Sequence, residues 1–129
     1  MEINAGHVED RAVLIKNYTS FLGERLKPAE SKTLLRFAEF YLQFFPVDAW
    51  VGRELSDLHG FLYGLLHFVT PGLEDEKPRV QVFNPNLDEH GWMCGRTVIT
   101  MLQKDMPFLV DSVLSLLGDT NAGIRLVLH

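Results

Sequence analysis

The sequence predicts an α+β fold in which an N-terminal helical segment packs against a small mixed β-sheet containing one βαβ unit. Three observations support this. The first half carries apolar residues at helical spacing, and the second half has three short apolar segments typical of strands. A stretch rich in proline, glycine and charge separates the halves at residues 70–78. We therefore expect a helical subdomain over 1–70 and a strand-rich part over 71–129.

The helical part is predicted to contain three helices. The first ends near Lys27, the second begins at Pro28 because proline suits a first helical turn, and it continues until Pro46. The third covers 55–69. Their predicted apolar faces are Leu14, Tyr18, Phe21 and Leu22, then Leu34, Phe37, Ala38, Tyr41, Phe44 and Phe45, then Leu55, Leu58, Leu62, Leu65 and Val69.

Two pairs of residues in the third helix could be mistaken for sites. Gly60 and Gly64 lie four residues apart, a spacing that lets another helix approach closely, and packing is the favoured interpretation. His59 and His67 lie eight residues apart in the same helix. We interpret both histidines as packing or surface residues rather than as ligands.

The second part is predicted to alternate strands with one helix. Residues 79–83 alternate polar and apolar side chains, as a half-buried strand does, and 97–102 and 124–129 are also strand-like. An amphipathic helix over 107–118 joins the last two, so these strands should be parallel with a right-handed crossover. The first two strands should pair antiparallel.

The connection over 84–96 is long enough to suggest that it is functional or packed over another part of the molecule. It contains four residue types that bind metals, although their spacing matches no strong zinc pattern. The favoured interpretation is that Asn84 and Pro85 shape a turn and Trp92 anchors the loop in the core. The four candidate ligands are Asp88, Glu89, His90 and Cys94.

Composition and charge narrow the function classes. The net charge of −5 and a pI near 5.4 argue against nucleic acid or an anionic membrane as the main partner. A single cysteine excludes an intrachain disulfide. The N-terminus lacks the pattern of a signal peptide, and no apolar run reaches the roughly 18 residues needed to span a bilayer. A cytoplasmic location is therefore expected.

The turn before the last predicted helix is the best candidate for a binding site, because N–H groups at a helix N-terminus can meet a ligand or a partner chain. It lacks the glycines of a dinucleotide fingerprint, and no P-loop or catalytic triad is visible, so neither an active site nor a bound cofactor is expected in this chain. The candidate effector or interface residues are Lys104, Asp105, Met106, Pro107 and Phe108.

Acidic residues flank the same helix start and allow a third interpretation. Asp105 and Asp111 could perform acid–base chemistry with His90 in a small independent enzyme, provided that they converge on one cleft. A structural role is favoured, because a carboxylate near a helix N-terminus complements the helix dipole and accepts N–H bonds.

Two motifs in fixed order resemble a known family. Arg79-Val-Gln-Val-Phe-Asn-Pro-Asn-Leu-Asp-Glu-His-Gly-Trp92 is followed by Thr97-Val-Ile99 and then by Asp105-Met-Pro-Phe-Leu-Val-Asp-Ser-Val113. This arrangement, within 79–129, resembles the N-terminal region of the large NAD-specific glutamate dehydrogenases of bacteria. The resemblance implies a non-catalytic piece of an enzyme that converts L-glutamate and NAD to 2-oxoglutarate, ammonia and NADH. The catalytic domains, and hence the NAD cofactor, would lie downstream in the full-length parent.

That region of the family is similar to ACT-type domains, which are βαββαβ units that often bind amino acids and pair through their sheets. The resemblance therefore implies a regulatory and oligomerising role, with contacts to the remaining domains of the same chain, a homo-oligomer and an amino-acid effector. The sequence departs from the ACT turn at Phe108, where a glycine is usual and where a bulky side chain could fill the effector's space.

The resemblance also implies that the chain is truncated within the ACT-like domain, after its first βαβ unit. The strand 124–129 would then be an unpaired edge with apolar Ile124, Leu126 and Leu128, and we expect self-association at least to a dimer. The alternative is a free-standing ligand-binding or protein-interaction module, without an attached enzyme, that uses the same turn.

Overall fold

A computed structural model describes residues 5–44, 50, 53–75, 77–104, 107–120 and 123–124. Within these residues the fold is helix-rich with a small antiparallel sheet, which confirms the α+β prediction. The elements in chain order are α1 Ala5–Arg25, α2 Pro28–Leu42, α3 Leu55–Asp75, β1 Arg79–Phe83, α4 Leu87–His90, β2 Val98–Leu102 and α5 Leu109–Asp119.

The main core lies between α1, α2 and α3, as the apolar spacing of the three helices predicted. Pro28 begins α2 as expected, after Lys27 in an extended conformation. Apolar positions repeat every three to four residues, so each helix turns one apolar stripe toward the others. The buried residues of this core are Tyr18, Leu22, Leu34, Ala38, Leu42, Trp50, Leu58 and Leu62.

Helix α2 ends earlier than predicted. Its last residue is Leu42, and Gln43 caps it with a backbone N–H to the carbonyl of Tyr41. Phe44 consequently leaves the apolar stripe, is 61% exposed and contacts Phe40 edge-on at 5.6 Å between ring centroids. The prediction that Phe44 belongs to the buried face was wrong. Residues 45–49, with the predicted stop at Pro46, lie outside the described residues.

Helix α3 extends further than predicted. It runs from Leu55 to Asp75 with Pro71 inside, so most of the Pro/Gly-rich stretch is helical. Arg79 donates from Nη1 to the carbonyl of Phe68 at 2.9 Å and stacks over that ring, which ties the start of β1 to the C-terminal turns of α3. The division of the chain at residue 70 stays a prediction.

Strands β1 and β2 form an antiparallel pair with Arg79 opposite Leu102 and Phe83 opposite Val98. The outer face of this hairpin is apolar, and the inner face, toward α3, carries Gln81 and Thr100 among its residues. The outer-face residues are Val80, Val82, Ile99 and Met101, and they are 40–63% exposed. The predicted parallel partner 124–129 falls almost entirely outside the described residues, so the mixed sheet stays a prediction.

The helical core meets the strand-rich part where α3 passes the loop after α4. A Cβ added to Gly60 would lie 3.0 Å from the carbonyl oxygen of Gly91 and from two side-chain atoms of Trp92. Gly60 therefore allows close packing, as predicted, but its partner is a loop rather than a helix. Gly64 faces open space, with no atom within 4 Å of an added Cβ.

A tyrosine–histidine pair links α1 to α3. The hydroxyl of Tyr18 lies 3.0 Å from Nδ1 of His59, and burial raises the pKa of Tyr18 well above its usual value. The hydroxyl therefore stays protonated, and the direction of its hydrogen bond with the imidazole follows the tautomer of His59. Burial, and secondarily the positive charge of Arg25, lowers the pKa of His59.

Protonation of His59 should destabilise the helical core. Because its pKa is lower in the folded state, the unfolded chain binds the proton first, and stability should fall as pH drops below about 6.5. The loss should level off once the pH passes the folded pKa. We expect His59→Gln to flatten this part of the stability profile, measured by urea unfolding between neutral and mildly acidic pH. His67→Gln, at an exposed position, should leave it unchanged; equal profiles for all three proteins would contradict the assignment.

Candidate functional site

The predicted effector turn is only partly described. Asp105 and Met106 lie outside the described residues, whereas Lys104, Pro107 and Phe108 are exposed. Helix α5 begins at Leu109, two residues later than predicted. The three described residues thus lie on the surface before α5, whose first two residues are half-buried, and their role as a ligand site stays a prediction.

Phe108 explains why the helix begins late. It is the N-cap of α5 with φ 62° and ψ 13°, a left-handed conformation that does not belong in a right-handed helix. It is the only non-glycine residue with positive φ among the described residues. Its side chain is 77% exposed. Phe108 thus adopts a backbone conformation favoured by glycine at the position where the ACT pattern has one, while its ring faces mainly solvent.

The loop with the four candidate metal ligands is organised by other contacts. Asn86 caps α4 by accepting the N–H of Glu89 at 2.8 Å, and its own N–H donates to Nδ1 of His90 at 3.1 Å. The thiol of Cys94 lies 3.5 Å from the carbonyl of Arg96. Within the described part of the chain, no group of three or more acidic, histidine or cysteine residues could hold a metal.

Trp92 anchors this loop, as predicted. It is 6% exposed and contacts Phe61 of α3 edge-on at 5.3 Å and Phe83 of β1 at 6.4 Å between centroids. Phe83 in turn lies 4.8 Å from the ring of His90. An unbroken series of aromatic rings therefore joins the helical core to the hairpin and α4.

A cleft of about 300 Å³ lies beside Trp92, between α3 and the inner face of the hairpin. Gly64 leaves the helix side of the cleft open, since nothing lies within 4 Å of its added Cβ. The polar residues of the lining are Tyr63 and His67 of α3, Gln81 and Thr100 of the hairpin, and Glu89 and His90 of α4. Gln81 and Thr100 stand directly opposite each other across the two strands.

The two histidines of the cleft have opposite hydrogen-bonding roles. Nδ1 of His67 lies 2.9 Å from the carbonyl of Tyr63, so this nitrogen carries the hydrogen, and in the neutral imidazole Nε2 is an acceptor. Nδ1 of His90 accepts the N–H of Asn86, so its hydrogen is on Nε2, which is a donor. The two neutral imidazoles that line the cleft therefore differ, one with an acceptor and the other with a donor at Nε2.

Comparison with known proteins identifies the family. The family described as "Glutamate dehydrogenase, ACT1 domain" matches residues 37–129. The chain belongs to this family. The match includes α3, the hairpin, the loop with α4 and the turn before α5, so the resemblance seen in two motifs extends over most of the fold.

Two curated relatives of this ACT1 chain carry the name NAD-specific glutamate dehydrogenase. The protein from Halomonas elongata is 35% identical over 111 residues, which cover 86% of this chain and 7% of the relative. The protein from Pseudomonas aeruginosa is 36% identical over 77 residues, or 60% of this chain and 5% of the relative. The ACT1 chain therefore spans less than a tenth of either relative and corresponds to their N-terminal region.

No solved structure matches the ACT1 chain. Among the described residues, no helix is both long enough and apolar enough to cross a membrane.

Sequence reasoning missed the cleft. The sequence does show polar Gln81 and Thr100 alternating with apolar neighbours in two predicted strands, but this pattern predicts polar residues on the solvent side. In the ACT1 chain these residues face α3 instead, and the apolar neighbours are the exposed ones. That the polar face of the hairpin turns inward can be recognised only when the position of α3 is known.

Proposed function

We propose that the chain is a non-catalytic regulatory and oligomerising region of a large, cytoplasmic NAD-specific glutamate dehydrogenase. In the full-length protein, other domains would bind NAD and convert L-glutamate to 2-oxoglutarate and ammonia. The observation that carries the proposal is the family match over 37–129, together with relatives of that name of which this chain covers only 7% and 5%.

The outer face of the hairpin supports a role in assembly. Val80 and Val82 of β1 are 60% and 63% exposed, and Ile99 and Met101 of β2 are 42% and 40% exposed. Four apolar side chains on one exposed sheet face are typical of a surface that packs against another protein segment. In the proposed enzyme this face would pack against the remaining domains or against a second subunit.

The function is tested by comparing this chain with the product of the full native reading frame. We expect glutamate-dependent formation of NADH by the full-length protein and none by the 129-residue chain. Removing these residues from the full-length protein should weaken its oligomer in sedimentation experiments. Activity in the isolated chain, a reading frame that stops near residue 129, or an unaltered oligomer would each contradict part of the proposal.

An amino-acid effector at the turn before α5 belongs to the same proposal. Phe108 has a left-handed conformation that glycine adopts readily, and its side chain makes no capping hydrogen bond to the start of α5. N–H groups at a helix N-terminus can bind the carboxylate of an amino acid, which supports this role. Calorimetry with a panel of amino acids on the full-length protein tests this role, and the absence of heat with every member would make the turn purely structural.

Phe108→Gly should stabilise the chain by up to about 1 kcal/mol. A left-handed conformation costs a non-glycine residue about 1–2 kcal/mol, and the greater freedom of glycine when unfolded offsets part of the gain. The measurement is the free energy of unfolding in urea. Phe108→Ala is the matched control, because it removes the exposed ring yet keeps the strain. Equal effects of the two substitutions would show that the backbone conformation carries no cost.

A further inference from the structure

We propose that the cleft between α3 and the hairpin binds a small, neutral aromatic carboxamide. The site is separate from the turn before α5, and its occupancy does not depend on the proposed enzyme function. Its polar lining includes His67, Gln81, Thr100 and His90 beside Glu89, and its aromatic lining includes Phe61, Tyr63 and Trp92.

The shape of the cleft limits the ligand to about one ring with a short substituent. Its volume of about 300 Å³ is at the lower end of the usual range for small-molecule sites, roughly 300–1,000 Å³. Phe61, Phe83 and Trp92 contribute ring surfaces to the lining. Such surfaces favour a flat apolar body, which can pack against them face-on or edge-on.

Hydrogen-bonding capacity in the cleft is unusually mixed. His67 presents an acceptor and His90 a donor, because their Nδ1 atoms are fixed by the carbonyl of Tyr63 and the N–H of Asn86 respectively. Gln81 and Thr100 lie side by side on the inner sheet face, and neither side chain has a hydrogen bond to another described residue. A carboxamide matches this lining, since its NH₂ donates and its carbonyl accepts.

The charges around the cleft disfavour an anionic ligand. The described residues that line it include no lysine or arginine, and Glu89 on the exposed side of α4 would repel an anion. Arg79 lies on the same sheet face, but its guanidinium is bound to the carbonyl and ring of Phe68. Burying a carboxylate or phosphate without a cationic partner is costly, so a neutral amide should bind in preference to its acid.

The test is titration of the 129-residue chain with benzamide, followed by NMR of backbone amides and by tryptophan fluorescence. Two control ligands are titrated in the same way. Benzoate carries a negatively charged carboxylate in place of the amide, and acetophenone keeps the ring and the carbonyl but lacks the N–H donor. We expect benzamide to shift the signals of residues around Trp92 and Gly64 and to bind at least about tenfold more tightly than benzoate, with acetophenone in between.

Two substitutions locate the site. Gly64→Leu places a side chain in the open space beside the cleft and should weaken benzamide binding at least about tenfold. Gly23→Leu is the matched control, because Gly23 is also helical with nothing within 4 Å of an added Cβ. If Gly64→Leu is poorly folded, Thr100→Val removes a hydroxyl at nearly constant volume and should also weaken binding.

The proposal is overturned if benzamide causes no saturable shift near the cleft up to its solubility limit. It is equally overturned if benzoate binds as well as benzamide, or if folded Gly64→Leu and Thr100→Val proteins bind as tightly as the unaltered chain.

Discussion

Trp92→Ala is expected to lower the free energy of unfolding by about 3–5 kcal/mol, the usual cost of truncating a buried large aromatic side chain. Trp92 is 6% exposed and contacts Phe61 on one side and Phe83 on the other. Its loss removes the packing that joins the helical core to the hairpin. Urea unfolding followed by circular dichroism measures the change, and Trp50, the other tryptophan, reports separately on the helical core by fluorescence.

Met93→Ala provides the control for this prediction. Met93 adjoins Trp92 in the same loop but is 50% exposed, so its truncation should change stability by less than about 0.5 kcal/mol. If the two substitutions had similar effects, the loop would not be anchored by the tryptophan. If Trp92→Ala unfolded the hairpin alone, fluorescence of Trp50 would change at a higher urea concentration than the signal from the strands.

Gly60→Ala should destabilise the same junction by about 1–3 kcal/mol, the usual cost of adding a methyl group to a tightly packed site. Its Cβ would lie 3.0 Å from the backbone oxygen of Gly91 and from Cβ and Cδ1 of Trp92. The loop must move to accommodate it, although alanine itself favours the helix. Thermal or urea unfolding gives the change in stability.

Gly64→Ala is a close internal control, one helical turn away in α3. Nothing lies within 4 Å of its added Cβ, so only the helix preference of alanine remains and stability should rise by up to about 1 kcal/mol. Opposite signs at Gly60 and Gly64 are the expected result. A gain at both positions would show that the loop does not press against α3. Combining Gly60→Ala with Trp92→Ala should cost less than the sum, because the clash and the lost contact involve the same side chain.

Local patterns predicted most of the fold because the relevant signals are local. Apolar spacing identified the buried faces of three helices, Pro28 marked the start of α2, and alternation located both strands of the antiparallel hairpin. Trp92 was recognised as a loop anchor, since a large aromatic residue in a long connection usually packs against the core.

Features set by tertiary packing were not predictable in the same way. The stretch 70–78 was expected to follow the third helix as a break, but α3 continues through Pro71 to Asp75. The partner of Gly60 proved to be a loop, which spacing within one helix cannot indicate. The cleft depends on which hairpin face turns toward α3, and the alternation of Gln81 with Val80 and Val82 suggested the opposite orientation. In the turn before α5, Lys104, Pro107 and Phe108 are exposed, as expected of residues that meet a ligand or a partner chain.

Phe108 shows that a backbone conformation typical of glycine can occur at a residue that is not glycine. Its φ of 62° is one that glycine adopts freely, yet a phenylalanine occupies the position. A sequence search that requires glycine at this position would miss this chain. A structural search that compares backbone dihedral angles would find it. Proteins with other side chains at the same point can therefore preserve the turn while presenting different chemistry to whatever approaches it.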